Sequence, residues 1–503
     1  MSLKKWSIVI GILLISSMVL TACPAPTPQT IEKVVTQVVE KQVQVVQTQV
    51  VEKTVEKTVE KVVTPTPPPA VVFKSKDPTT FVEATFGEPE TLDPALDYET
   101  AGGEISQNVY ETLVFYNKDK PSEFVPQLAE KWTISDDGLT YTFQIRKGVK
   151  FHDGTEMTPS DVAYSFQRGL LQGGTASPQW LLTQPFFGND VDDIAVLVGE
   201  LGADNAVPYD DRELMKTADP AKLQDVCQQV KDKIVADDAA GTVTMKLAQP
   251  WGPFLATIAQ TWGSAMSQQW VVANKGWDGS CDTWTDFYGM TSENDPFTSI
   301  MNGTGPFKFD HWTKGQEIVL VRNDDYWRTE PAWEGGPTGP AKLQRVVIKN
   351  VTEWGTRFAM LQAGDADFAA VDRQFINQVD PITGERCDYN NTTNTFDACQ
   401  PTNANQPLRL WYGAPTVSRT DVFMNFKINV PEGGNPYVGS GKLDGNGIPA
   451  DFFSDEHVRK AFNYCFDWDT FIKDAMAGEA VQSTGIALPG MIGYEPDGAK
   501  YTY

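Results

Sequence analysis

Between Lys131 and Gln167 the chain sets a strand pattern and a helix start side by side, and that succession narrows its possible folds more than any other feature. Leu139, Tyr141, Phe143 and Ile145 alternate with Thr140, Thr142, Gln144 and Arg146, the period of a strand with one buried face. Asp136-Asp137-Gly138 supplies a turn just before it, so Lys131 to Arg146 reads as a hairpin. Thr158-Pro159-Ser160-Asp161 then provides an N-cap, a proline at the first helical position and an acid at the third, with a helix expected through Gln167. Further along, Ser454 caps a segment with Val458, Ala461, Phe462 and Cys465 on one face, and Asp467 opens a second helix ending at Gly478. Strands and helices of both kinds call for α/β architecture rather than a sandwich or a helical bundle.

The chain has 503 residues, 41% of them hydrophobic, enough for two or three domains with cores of their own. That material is unevenly spread. From Ile31 to Val63 the sequence is nearly all Val, Glu, Lys, Gln and Thr, without an aromatic residue or a glycine. The valine spacing suits a helical stalk, which would span about 50 Å at ~1.5 Å per residue; a solvated spacer fits the same composition. Pro65, Pro67, Pro68 and Pro69 stop any helix there, so the globular region is expected to start near Val71. Ahead of this stretch, Lys4 and Lys5 precede an apolar run from Trp6 to Leu20, and Leu20-Thr21-Ala22-Cys23 places small residues before a cysteine. The run is short for a spanning helix, which needs ~20 apolar residues, and the arrangement is that of an export signal over residues 1–22. Leu-Thr-Ala-Cys resembles the bacterial lipobox, which implies cleavage before Cys23 and lipidation of its thiol. Residues 23–70 would then form a tether on a membrane-anchored protein.

The formal charge of −25 disfavours nucleic acid as a partner, since that mode of binding depends on Lys and Arg releasing counterions. Beyond Cys23 there are cysteines at 227, 281, 387, 399 and 465, in a compartment where disulfides survive. Cys387 and Cys399 flank a polar loop and are expected to close it; Cys227 with Cys281 is a weaker pairing, and Cys465 reads as a small buried hydrophobe. Three histidines and no Cys-x-x-Cys argue against a dedicated metal site, and no cofactor is indicated. A hydrolase is disfavoured by the lack of Gly-x-Ser-x-Gly and His-Glu-x-x-His. His152-Asp153-Gly154 reads as a turn, and Trp132 and Trp327 as core aromatics.

Several stretches share their order with one family. They are Glu88-Pro-Glu-Thr-Leu-Asp-Pro94, Val109-Tyr-Glu-Thr-Leu-Val114, Pro126-Gln-Leu-Ala-Glu-Lys-Trp132 and the run from Ser135 to Gly154 with Asp161-Val-Ala-Tyr-Ser-Phe166. Gly303-Thr-Gly-Pro-Phe307, Arg322-Asn-Asp-Asp-Tyr-Trp327, Leu361-Gln-Ala-Gly-Asp-Ala-Asp367 and Val458-Arg-Lys-Ala-Phe462 follow. Together these resemble the solute-binding proteins of oligopeptide, dipeptide and nickel ABC importers, family 5. The resemblance implies a periplasmic-binding-protein-like fold of two lobes, type II, with an extra inserted domain. On this chain it implies lobe I at 71–110 and 269–420, the insert at 111–268 and lobe II opening at 421–503, with that lobe incomplete because relatives continue past Tyr503.

It further implies a peptide ligand, ABC permease subunits as partners and an extracytoplasmic location. Oligosaccharide and nickel or heme chelates are the competing solutes, and a surface adhesion or sensory role is a further alternative. By the same resemblance the segment after Leu92-Asp-Pro94 lines the cleft, placing Tyr98, Glu99 and Thr100 on the ligand, and Ser177-Pro-Gln-Trp180 offers Trp180 as an aromatic wall. Main-chain hydrogen bonds suit such a receptor, because they read a peptide backbone and ignore its side chains.

Overall fold

In the computed structural model the described residues are 75–498, apart from positions 119, 391–394, 415, 417, 440, 441, 443, 489, 490, 492, 493, 496 and 497. The expected leader, Cys23 and the tether to residue 70 lie outside the described residues. Strands Ala129–Ile134 and Thr140–Ile145 pair antiparallel, with Trp132 opposite Phe143. Their turn is built by Asp137, whose Oδ1 accepts from the Leu139 N–H at 3.0 Å, and by Gly138 at φ 70°, a left-handed conformation that glycine adopts without steric cost. Strands Thr242–Lys246 and Ile234–Asp237 extend the pair into a four-stranded antiparallel sheet.

Helix Pro159–Gln172 packs on this sheet, burying Val162, Phe166 and Leu170. Its start is a reciprocal capping box, in which the Thr158 side chain accepts from the Asp161 N–H and the Asp161 carboxylate from the Thr158 N–H. It runs past the expected end at Gln167 because Arg168, Leu170 and Leu171 are themselves buried, and Gly173 then ends it at φ 46°. The apolar cluster around this sheet draws on residues from Tyr110 to Phe297. A bridge between Cys227 and Cys281 ties helix Pro220–Lys233 into it.

A second, five-stranded sheet runs in the order Phe368–Ala369, Thr80–Thr85, Arg345–Asn350, Glu317–Arg322, Phe307–Thr313. Thr80–Thr85 is parallel to both neighbours and the remaining pairs are antiparallel. Helix Thr100–Val109 lies on it, with Ile105 and Val109 packed against Leu92, Phe307, Ile318, Leu320 and Ile348. Gly303 and Gly305 lead into the edge strand, and close approach rather than turn conformation demands them: a Cβ on Gly303 would lie 1.9 Å from the Val109 carbonyl oxygen. Cys387 of strand Thr383–Asn390 is bridged to Cys399.

Some local expectations need correction. Trp132 and Trp327 are half-buried at the margin of the large cluster rather than inside it, and the Trp327 Nε1–H donates to the Glu111 carboxylate at 2.6 Å. Asp455, one residue after Ser454, caps helix Glu456–Cys465, and Asp467 caps only the short helix Trp468–Thr470, which continues as a π turn over Phe471–Ala475. Cys465 is exposed, as are Phe462 and Tyr464. Its apolar periodicity is real, but burial needs a larger partner surface than Phe452 and Phe453 provide: their rings pack edge-on against Phe462 and leave Cys465 open. No described helix is long and apolar enough to cross a membrane.

Candidate functional site

Leu92–Thr100 links the first strand of the five-stranded sheet to helix Thr100–Val109 and is fastened along its length. The Leu92 N–H donates to the Thr298 carbonyl at 3.0 Å. Asp93 is fully buried; its carboxylate accepts from the Ala95 N–H at 2.9 Å and from both terminal nitrogens of Arg168, one at 2.8 Å. The Ala95 carbonyl accepts from the Ser177 hydroxyl at 2.8 Å and the Gln179 amide at 3.3 Å. The Asp97 carbonyl accepts from the Thr261 hydroxyl at 3.2 Å, and its Oδ2 from the Ser106 hydroxyl at 2.7 Å. A single nine-residue segment is thus held by groups from four distant parts of the chain.

The electrostatics of this segment follow from its burial. Burial pushes the Asp93 carboxyl up, but the charge and hydrogen bonds of Arg168 outweigh it and hold the group below the usual carboxylate range. Asp295, 3.8 Å from the same guanidinium, is pushed up to about 9 by burial and by the charge of Asp93. Asp97 is pushed up to about 8, chiefly by burial, and its Oδ1 has no hydrogen-bond partner. Around neutral pH the buried set is therefore one ion pair with two protonated acids beside it.

Against this frame the expected ligand residues fall into two kinds. Tyr98 is 61% exposed, its ring 5.9 Å from that of Trp262. Trp180, 43% exposed, opens helix Trp180–Phe187 directly after Ser177 and Gln179, the residues that grip Ala95. The Ala95 carbonyl therefore joins the Tyr98 segment to the Trp180 segment. Glu99 is turned inward: it occupies the N-cap position of helix Thr100–Val109, and its carboxylate accepts from the Glu90 N–H at 2.8 Å and the Tyr98 N–H at 3.3 Å. Thr100 lines a cavity of about 170 Å³ between its helix and the five-stranded sheet.

Sequence reasoning missed Arg168, Asp97 and Trp262. Arg168 carried a usable signal, an arginine among Phe166, Leu170 and Leu171 in an otherwise apolar stretch, because a buried guanidinium needs a buried acid. Trp262 carried none, since only tertiary contact places it against Tyr98.

Known proteins resemble the chain over much of its length. The profile of a family described as bacterial extracellular solute-binding proteins, family 5 middle, matches residues 123–503. The chain is 31% identical over 301 residues to heme-binding protein A of Haemophilus influenzae, covering 58% of this chain and 44% of that protein. It is 26% identical over 433 residues to the dipeptide-binding protein of Escherichia coli, covering 84% of this chain and 61% of that one. The chain thus spans less than two thirds of the length of these relatives. Among solved structures, the periplasmic binding protein DppA of Helicobacter pylori in complex with the peptide STSA aligns with a TM-score of 0.51 and 21% identity, covering 84% of this chain and 63% of that one. That likeness is one of fold, the mixed α/β fold of two-lobed periplasmic binding proteins. With the profile covering most of its length, the chain belongs to family 5 of the bacterial extracellular solute-binding proteins.

Proposed function

We propose that this chain is the substrate-binding part of an ABC importer, capturing peptides outside the cytoplasmic membrane and handing them to permease subunits. It acts as a binding protein and not as an enzyme. In this reading Cys23 carries the lipid anchor, residues 71–110 and 269–420 form the first lobe, 111–268 the insert, and 421–503 open the second. Closure of the lobes about a hinge surrounds the ligand, so binding shifts an open–closed equilibrium.

The observation that carries the reading is the immobilised Ala95–Thr100 segment, which keeps the aromatic ring of Tyr98 exposed while the anchor at Ala95 ties it to the segment carrying the exposed Trp180. Rigid aromatic walls on fixed backbone suit a ligand whose main chain is constant and whose side chains vary. The dipeptide-binding relative supports the same class. Heme is the second reading, favoured by the heme-binding relative at 31% identity and by the suitability of exposed aromatic faces for a flat macrocycle.

Calorimetry with mixed di- and tripeptides, and separately with hemin, tests this. Peptide binding is expected, with Tyr98→Ala and Trp180→Ala each weakening it about tenfold, or ~1.4 kcal/mol. Binding of hemin with no binding of peptides would replace the first reading by the second.

A further inference from the structure

We infer that the cavity between helix Thr100–Val109 and the five-stranded sheet is a pocket for a cation on a short aliphatic stem, the ammonium or guanidinium end of a ligand side chain. Only the source of that cation rests on the peptide reading. The cavity, about 170 Å³, has apolar walls from Phe86, Ile105, Ile318 and Ile348. Its polar lining is dominated by acceptors. Glu104 and Glu317 contribute carboxylates, and Asn350 contributes a side-chain oxygen that is buried and has no hydrogen-bond partner. Glu88 also lines it, but its Oε1 is committed to the Trp312 Nε1–H at 2.7 Å and the Gly315 N–H at 2.6 Å.

Of the two lining carboxylates, Glu104 has no basic partner among the described residues and Glu317 has only long ones. Glu104 meets Glu83 of strand Thr80–Thr85, a side chain only 9% exposed, and among the described residues neither has a basic partner. Burial and contact with Glu104 push the Glu83 carboxyl up to about 8. Glu317 is paired at long range with Lys349 at 3.8 Å and with His311 at 3.7 Å, the latter shared with Asp310 at 2.7 Å. The nearby Arg357 stacks over Phe86 at 5.1 Å and spends its Nη1 hydrogens on the Val351 and Thr352 carbonyls at 2.8 and 3.0 Å. An incoming ammonium would meet Glu104, Glu317 and the Asn350 oxygen while its methylenes lie on the isoleucines. A neutral chain gains only the second of these, and an anion is repelled.

Ligand-observed NMR and calorimetry with n-butylammonium, and with n-butanol as its uncharged match, address the pocket directly. The amine is expected to bind about tenfold more tightly than the alcohol, or ~1.4 kcal/mol, and Glu104→Gln to remove most of that difference. Glu317→Gln serves as the second variant, and thermal melts of both confirm folding. Equal binding of amine and alcohol, binding of neither, or unchanged selectivity in both variants overturns the inference. Lysine-containing peptides compared with norleucine-containing ones separate the two readings. Peptide binding without preference for lysine sinks the pocket alone, whereas amine binding with no peptide binding sinks the peptide reading alone.

Discussion

Asp97 shows how much one buried acid can set. Its Oδ2 accepts from Ser106, its Oδ1 has no partner, and a Cβ on Gly102 would lie 2.3 Å from that free oxygen, so nothing but the helix start fits there. The folded protein keeps a proton on Asp97 up to about pH 8, whereas the unfolded chain releases it near the ordinary aspartate value of 3.8. Asp295 and Glu83 behave alike, with folded values of about 9 and about 8. Between roughly pH 4 and 8 the folded state therefore binds more protons than the unfolded one. Stability from these groups is fully present below the lower limit and is lost as pH rises through the upper one. Melting temperature is expected to fall from pH 5 to pH 9. Asp97→Asn, which keeps the acceptor for Ser106 without a titratable proton, should flatten that decline by about 1.4 kcal/mol per pH unit over part of the range. A profile unchanged by the substitution would show that Asp97 titrates normally.

Elements are joined here by backbone contact as much as by side chains. The helix Thr100–Val109 ends against Gly303 and Gly305, which approach the Val109 carbonyl so closely that no side chain fits. The Gly305 N–H donates to that same carbonyl at 2.9 Å, and the His152 N–H to the Gly303 carbonyl at 2.8 Å. The expected turn at His152-Asp153-Gly154 is therefore also a fastening point between the two sheets' surroundings, with the His152 Nε2 3.0 Å from the Gly305 carbonyl. Burial of that ring pushes its pKa down to about 4 and keeps it neutral. Gly303→Ala should cost about 2–3 kcal/mol, the upper part of the ~1–3 kcal/mol range for overpacking with backbone displacement, read from urea denaturation midpoints. A loss under half of that would mean the strand slides aside freely.

At the scale of the molecule, Arg168 reaches from the helix on the four-stranded sheet to Asp93 on the segment that follows the first strand of the other sheet. The ion pair is almost wholly buried, with side-chain exposures of 4% and 0%, so its loss leaves a charge in a site water cannot reach. Arg168→Met is expected to cost about 3–5 kcal/mol and to weaken ligand binding in parallel, while Arg168→Met with Asp93→Asn should recover much of the stability. Denaturation and calorimetry on both variants check this; additive losses in the double variant would exclude direct coupling.

The sequence by itself determined the parts that depend on near neighbours. The capping box at Thr158 and Asp161, the alternation of Tyr141, Phe143 and Ile145, and the turn at Gly138 all rest on hydrogen bonds or periodicity within a few residues. The order of motifs from Glu88 to Phe462 likewise carried the family and the α/β class. Only the tertiary structure decided that Arg168 pairs with Asp93 across 75 residues of sequence, that Glu99 turns inward while Tyr98 faces out, and that Cys465 stays exposed on an apolar helix face. The reason is physical: caps and turns are satisfied by atoms the chain brings together locally, whereas burial and charge pairing depend on which distant surface arrives to exclude water.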